Sequence, residues 1–181
     1  MMMRMLDEGG LEPVTDNIRT ADEDNPKGYY EVELVKSLKK QDDKTWLDNA
    51  EGKVIKIISS LLKDLPSQHR YDVIFMNRSL DEVLASQKKM VARRGESSGA
   101  DDQQLRQLYE QHLRSIKPWV AKQTNFRLLD ISYNDTMQDP ATQAQRVKEF
   151  LGVPLDVVKM SKAVDEQLYR NRGGDAGSRK K

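Results

Sequence analysis

Short apolar runs alternate along this chain with longer stretches in which apolar residues recur at helical spacing. The runs are KVIKII (residues 53–58), YDVIFM (residues 71–76) and FRLLDIS (residues 126–132), and each has the length and composition of a buried strand. Strands that alternate with helices favour a parallel sheet covered by helices. We therefore predict an α/β layer fold with a mainly parallel sheet.

The helical segments carry their own start and stop signals. Apolar residues repeat at helical spacing from Leu80 onward and again through the long stretch after Asp102, which Pro118 is predicted to kink or split. Asp139 and Gly152 mark the two ends of a further helix. These signals predict a carboxyl-terminal half that is rich in helix.

The composition limits the function. The 181 residues include 30 Lys and Arg and 29 Asp and Glu, so the net charge is +1 and there is no general basic field for nucleic acid or a membrane surface. The chain has no cysteine, only two histidines and no apolar run of membrane-spanning length, which argues against a metal site and for a cytoplasmic protein. We predict a single domain over residues 1–172 and a flexible tail over residues 173–181.

An arginine stands where the second predicted strand meets a helix. In parallel α/β sheets, ligands bind at the carboxyl ends of strands, and Arg78 follows the run 71–76 with only Asn77 between them. Ser79 and Glu82 have the spacing of a capping box, and Ser86 lies two turns into the helix. Either Arg78 and Ser86 bind a phosphate together, or Arg78 is an ordinary surface charge and Ser86 is a solvated helix serine.

A lysine interrupts the first predicted strand. Lys56 lies among Val54, Ile55, Ile57 and Ile58, and a lysine within a fully buried strand is costly unless it is paired. Lys56 therefore either reaches solvent at the strand's exit or faces an anion.

These blocks resemble, in order, the bacterial branch of the sulfotransferase family, which uses 3′-phosphoadenosine 5′-phosphosulfate (PAPS) as sulfuryl donor. VIFMNRSLDEVLASQKKM is similar to the family's 3′-phosphate-binding segment, and KVIKIISSLLKDLP to the strand whose lysine contacts the donor near the transferred group. ADEDNPKGYYEVE and YNDTMQDPATQAQRVKEFLGV extend the likeness to about Arg172. The resemblance implies a three-layer P-loop-type fold, with Arg78 and Ser86 on the 3′-phosphate and Lys56 near the sulfuryl group.

The sequence departs from the family's pattern in two places. MMMRMLDEGG resembles the helix that follows the 5′-phosphosulfate loop, so the fold is expected to be truncated at its amino terminus, without the first strand and that loop. Such a chain is expected to be inactive until upstream residues are restored, and its open strand edges favour a homo-oligomer. The histidine base of cytosolic animal members falls at Ile58, so a carboxylate, Glu31 or Glu33, is the candidate base unless both are surface glutamates.

The resemblance implies transfer of a sulfuryl group from PAPS to a hydroxyl or amine of a small-molecule or peptide acceptor, without a metal ion. Lys56 would balance the charge that develops on the bridging oxygen. The alternative is a non-catalytic remnant of the fold that acts as a binding or interaction module. Binding of the donor nucleotide distinguishes these two hypotheses.

Overall fold

The computed structural model describes residues 1–16, 18, 29–93 and 101–164, in which helices surround a small sheet. The predicted tail at 173–181 lies outside these residues. Short 3₁₀ helices cover Leu38–Lys40, Thr45–Ala50 and Ser59–Asp64. The α-helices and strands are α1 (Met2–Glu8), α2 (Glu33–Lys36), β1 (Tyr71–Asn77), α3 (Leu80–Arg93), α4 (Asp102–Ala121), β2 (Phe126–Ser132), α5 (Tyr133–Gln138), α6 (Pro140–Leu151) and α7 (Val157–Lys162).

Strands β1 and β2 form a parallel pair, as the alternating pattern predicted. Their register runs from Tyr71 opposite Phe126 to Asn77 opposite Ser132, and α3 and α4 make the crossover between them. A crossover of this kind is what a parallel pair requires. The α/β class and the parallel sheet are therefore present in the described residues.

The first predicted strand, residues 53–58, is wrong. Within the described residues, the segment 53–58 forms one isolated parallel bridge, between Val54 and Pro13. The side chains of Ile55 and Ile57 pack against a cluster of 3₁₀ and helical residues, whereas Val54 contacts the core beneath the sheet. The apolar run is thus explained by packing on two sides, and it needs no regular strand partner.

Side chains alternate between the two faces of the sheet, and helices cover both faces. On one face, Phe75 packs with Ile116 and Val120 of α4. On the other face, Ile131 is completely buried against α1, α6 and α7. The buried residues of this second cluster are Met2, Met5, Leu6, Ile131, Ala144, Val147, Leu155, Met160 and Ala163.

Helix α4 continues through Pro118, so the predicted split does not occur there. Proline removes one backbone hydrogen bond and crowds the preceding turn. Pro118 lies within the last turn of α4, and Ile116 and Val120 on either side of it are both buried. Packing of these two side chains on the sheet holds the turn in helical form.

Both ends of α6 match their sequence signals. The Asp139 side chain accepts a hydrogen bond from the Thr142 N–H at 3.0 Å, and Gly152 ends the helix with φ of 68°. Hydrogen bonds from Thr142 hold the pKa of Asp139 below its usual range. The ionised carboxylate is therefore the form that caps the helix.

We expect Asp139→Ala to lower the thermal unfolding midpoint by a few degrees at pH 7, because the cap is lost. A depressed carboxyl pKa gives stability that is complete above the unfolded pKa of about 3.9 and is lost as pH falls through the folded pKa. The difference from wild type should therefore shrink below about pH 4. Circular-dichroism melts at pH 7 and at low pH measure it, with the exposed Asp42→Ala as control. A difference that is equally large at low pH would contradict the ionised cap.

Candidate functional site

The register of the sheet brings Arg78 against Tyr133. Asn77 and Ser132 are paired at the carboxyl ends of β1 and β2, so the residues that follow them are neighbours. The Cζ atom of Arg78 lies 4.8 Å from the centroid of the Tyr133 ring. A guanidinium group in this position is attracted by the face of the ring. The sequence reading missed Tyr133, although the rule that parallel strands end at one edge was a signal for it.

Glu82 holds the other side of the arginine. The Arg78 Nε donates to Glu82 Oε2 at 2.9 Å, and the Glu82 side chain is only 2% exposed, against 25% for that of Arg78. A carboxylate this deeply buried is costly without a cation. The sequence predicts Glu82 as part of a capping box, and the structure places its carboxylate against the Arg78 guanidinium.

The electrostatics of Tyr133 reflect the same arrangement. Burial raises the pKa of Tyr133, the negative charge of Glu82 raises it further, and the positive charge of Arg78 opposes both. The phenol therefore stays neutral near pH 7, so its ring faces the guanidinium without a charge of its own.

Ser86 follows Glu82 by four residues on α3. Residues at this spacing are neighbours on one side of a helix, about 6 Å apart along the axis. Ser86 is partly exposed, and within residues 1–16, 29–93 and 101–164 its hydroxyl has no hydrogen-bond partner. We call Arg78, Glu82, Ser86 and Tyr133 the arginine cluster.

A polar network fixes the end of β1 next to the arginine cluster. Asn77 Nδ2 donates to Asp130 Oδ1 at 2.8 Å, and Lys117 Nζ lies 2.6 Å from the same oxygen. Lys117 also donates to Asn77 Oδ1 at 3.0 Å. Burial raises the pKa of Asp130, but the bonds from Asn77 and Lys117 outweigh it and leave this pKa below the usual range. The network thus ties β1, β2 and α4 together directly before Arg78.

Lys56 is both partly exposed and paired with a carboxylate. Its side chain is 46% exposed, and its Nζ lies 3.1 Å from Glu31 Oε1. The Glu31 carbonyl in turn accepts a hydrogen bond from the Asp16 N–H at 3.4 Å. Both alternatives for Lys56 are therefore true, because the lysine reaches solvent and also faces an anion.

The structure separates the two candidate glutamates. Glu31 contacts Lys56, whereas the exposed Glu33 carboxylate accepts from Lys36 Nζ at 2.7 Å within α2. An i, i+3 pair of this kind is ordinary on a helix surface. Glu31 is consequently the glutamate that lies beside the lysine.

Two further positively charged groups, the Met1 α-amine and Arg4, lie at the start of α1, and the amine is near Lys56. The pKa of the Met1 α-amine is lowered by burial and then by the positive charges of Lys56 and Arg4. The Arg4 Nη1 is buried and has no hydrogen-bond partner among the described residues. Arg4 was not a candidate from the sequence, although it is the only charged residue among the first six.

One apolar core joins the two groups of charged residues. Val54, two residues before Lys56, and Met76, two residues before Arg78, both pack against the cluster that contains Ile131. The lysine and the arginine thus extend from segments anchored on the same support.

The described ranges contain no group of three His, Asp or Glu side chains arranged to hold a metal ion. In the same ranges, no helix is both long enough and apolar enough to cross a membrane.

A protein-family model with the description Sulfotransferase family matches residues 26–157. The matched range includes Glu31, Lys56, Arg78 and Ser86, and Arg4 lies before it. No curated protein and no solved structure matches the chain.

Proposed function

The chain belongs to the sulfotransferase family, and we propose that it transfers a sulfuryl group from PAPS to a hydroxyl or amine acceptor. The family match over residues 26–157 carries this proposal. The proposal includes the family's P-loop-type fold and a cytoplasmic location.

We assign the 3′-phosphate of the donor to the arginine cluster. Guanidinium has five N–H donors, and Glu82 takes the one on Nε of Arg78. The terminal nitrogens of Arg78 then suit a phosphate, which arginine binds with two parallel hydrogen bonds. The Ser86 hydroxyl supplies a further donor one turn beyond Glu82.

We assign the sulfuryl end of the donor to Lys56. In this reaction the bond between sulfur and the bridging oxygen breaks, and negative charge develops on that oxygen. An ammonium group held in place beforehand stabilises such charge without reorganisation. Glu31 holds Lys56 in place, and the buried Arg4 Nη1 is a donor that fits a second anionic group of the nucleotide. The scheme requires no metal ion, because these cations carry the charge.

Calorimetry tests the donor assignment. We expect 3′-phosphoadenosine 5′-phosphate to bind more tightly than adenosine 5′-phosphate, which lacks the group assigned to Arg78. Transfer from ³⁵S-labelled donor is measured in parallel, on the 181-residue chain and on a form extended by the upstream coding sequence. Binding of both nucleotides with equal affinity would contradict the 3′-phosphate assignment. Tight binding without transfer by either form would indicate a binding module.

We expect Ser86→Ala to weaken binding of 3′-phosphoadenosine 5′-phosphate by about 1 kcal/mol, roughly fivefold, because one hydroxyl hydrogen bond is lost. Affinity for adenosine 5′-phosphate should not change. Ser161→Ala is the matched control, since its hydroxyl bonds to its own helix at Val157 O, 2.7 Å away. Equal weakening by both substitutions would remove Ser86 from the site.

A further inference from the structure

A serine–histidine pair lies three residues beyond Lys56. Ser59 Oγ is 2.8 Å from His112 Nε2, within hydrogen-bond distance, and both groups are partly buried. Ser59 opens the 3₁₀ helix Ser59–Asp64, which packs against α4, the helix that carries His112. Three residues span at most about 11 Å, so the pair lies close to the lysine that we assign to the sulfuryl group.

The surface around this pair is apolar and exposed. Ile58, directly before Ser59, is 61% exposed, and Leu108, one turn before His112 on α4, is 62% exposed. Because Ser59 and His112 are in contact, Ile58 and Leu108 flank the same place from two segments. Large apolar side chains that are exposed beside a polar pair suit a ligand with an apolar body and a hydroxyl group.

The candidate carboxylate is already engaged. Glu31 Oε1 lies 3.1 Å from Lys56 Nζ, so in our proposal this carboxylate holds the lysine and another group takes the acceptor's proton. Imidazole is the side chain whose ordinary pKa lies closest to neutral pH, which suits a general base. His112 is one of only two histidines. The other, His69, lies in a loop before β1, and its Nε2 is 2.8 Å from Asp48 Oδ1.

We propose that Ser59 and His112 form the proton relay for an apolar alcohol acceptor that contacts Ile58 and Leu108. This inference rests on the proposed sulfuryl transfer. The acceptor oxygen bonds to sulfur as the bond from sulfur to the bridging phosphate oxygen breaks, and the electron pair goes to that oxygen beside Lys56. The acceptor's proton passes to Ser59 Oγ while the Ser59 proton passes to His112 Nε2.

The test uses PAPS and 2-naphthol with whichever form of the chain, 181 residues or extended, turns over faster. We expect His112→Ala to lower kcat about 100-fold and to remove the fall of wild-type activity at acid pH, because the general base is lost. Added imidazole should restore part of the rate. Ser59→Ala should lose activity to a similar degree, whereas Ser59→Thr, which retains a hydroxyl, should keep most of it.

Controls separate the relay from a structural role. Affinity for 3′-phosphoadenosine 5′-phosphate should stay unchanged in every variant. His69→Gln should keep both the rate and the fall of activity at acid pH. Because there are only two histidines, the His69→Gln variant leaves one imidazole and so assigns the His112 signal in NMR of the labelled rings, and Ser59→Ala should shift its Nε2 resonance but not that of His69.

The outcomes distinguish the two proposals. If the wild type is active and His112→Ala keeps both its rate and its fall of activity at acid pH, the relay alone is overturned. If the fall of activity at acid pH disappears in Glu31→Gln but persists in His112→Ala, the relay is also overturned and the base is Glu31. A wild-type chain that neither binds the nucleotide nor transfers sulfuryl overturns the proposed function and the relay with it.

Discussion

Lys56→Ala is expected to lower kcat for sulfuryl transfer by about 100- to 1,000-fold, the usual cost of removing one preorganised group that stabilises developing charge. The charge on the bridging oxygen appears in the transition state, so a contact to it contributes more to turnover than to ground-state binding. Affinity for 3′-phosphoadenosine 5′-phosphate should therefore change less than about threefold. Steady-state kinetics and calorimetry on the same preparation give both quantities.

Lys53→Ala is the matched control for this prediction. Lys53 lies three residues before Lys56 in the same segment, and its Nζ pairs with Glu12 Oε1 at 2.6 Å. Loss of this exposed pair should leave turnover unchanged, since surface ion pairs contribute little. If Lys56→Ala instead reduces turnover and affinity by the same factor, Lys56 only binds the donor and does not act on the leaving group.

Arg78→Ala is expected to weaken binding of 3′-phosphoadenosine 5′-phosphate by about 2–4 kcal/mol, roughly 30- to 700-fold, the typical cost of removing one partner of a desolvated charge pair. Binding of adenosine 5′-phosphate should change little, because the lost contact is to the 3′-phosphate. Calorimetry with the two nucleotides measures the difference. Equal losses for both would mean that Arg78 does not read the 3′-phosphate.

Two further variants separate binding from stability at this position. Arg78→Ala also removes the cation from the buried Glu82, so its affinity must be measured well below its unfolding midpoint. Arg78→Lys keeps a positive charge beside Glu82 but loses the planar fork, and it should give an intermediate loss of affinity. Arg127→Ala is the surface control, since Arg127 pairs with Asp72 through two contacts of 2.6 Å near the opposite end of the sheet.

Local patterns in the sequence were sufficient to predict strands β1 and β2 and both ends of helix α6. The apolar runs of β1 and β2 and the cap residues of α6 act through neighbours a few positions away, and these elements are confirmed. The place of Arg78 at the end of β1 followed from the same patterns. The predicted strand at residues 53–58 was wrong, because an apolar run indicates burial but does not specify what it packs against.

The contacts of the candidate site depend on residues that are far apart in the chain. Lys56 and Glu31 are 25 positions apart, and Ser59 and His112 are 53 apart. Neither pair has a sequence spacing that indicates contact. Tyr133 meets Arg78 only because β1 and β2 pair in one particular register.

The sequence by itself thus determined the α/β class, the parallel pair of strands and the position of an arginine and a serine around one helix start. Hydrogen bonding and helical or strand periodicity are local, so a few neighbouring residues suffice to specify them. Only the tertiary structure decided that Glu82 is buried beneath Arg78, that Glu31 rather than Glu33 holds Lys56, and that Ser59 meets His112. Burial and charge pairing depend on which distant segments exclude water together, and that is a property of the packed chain.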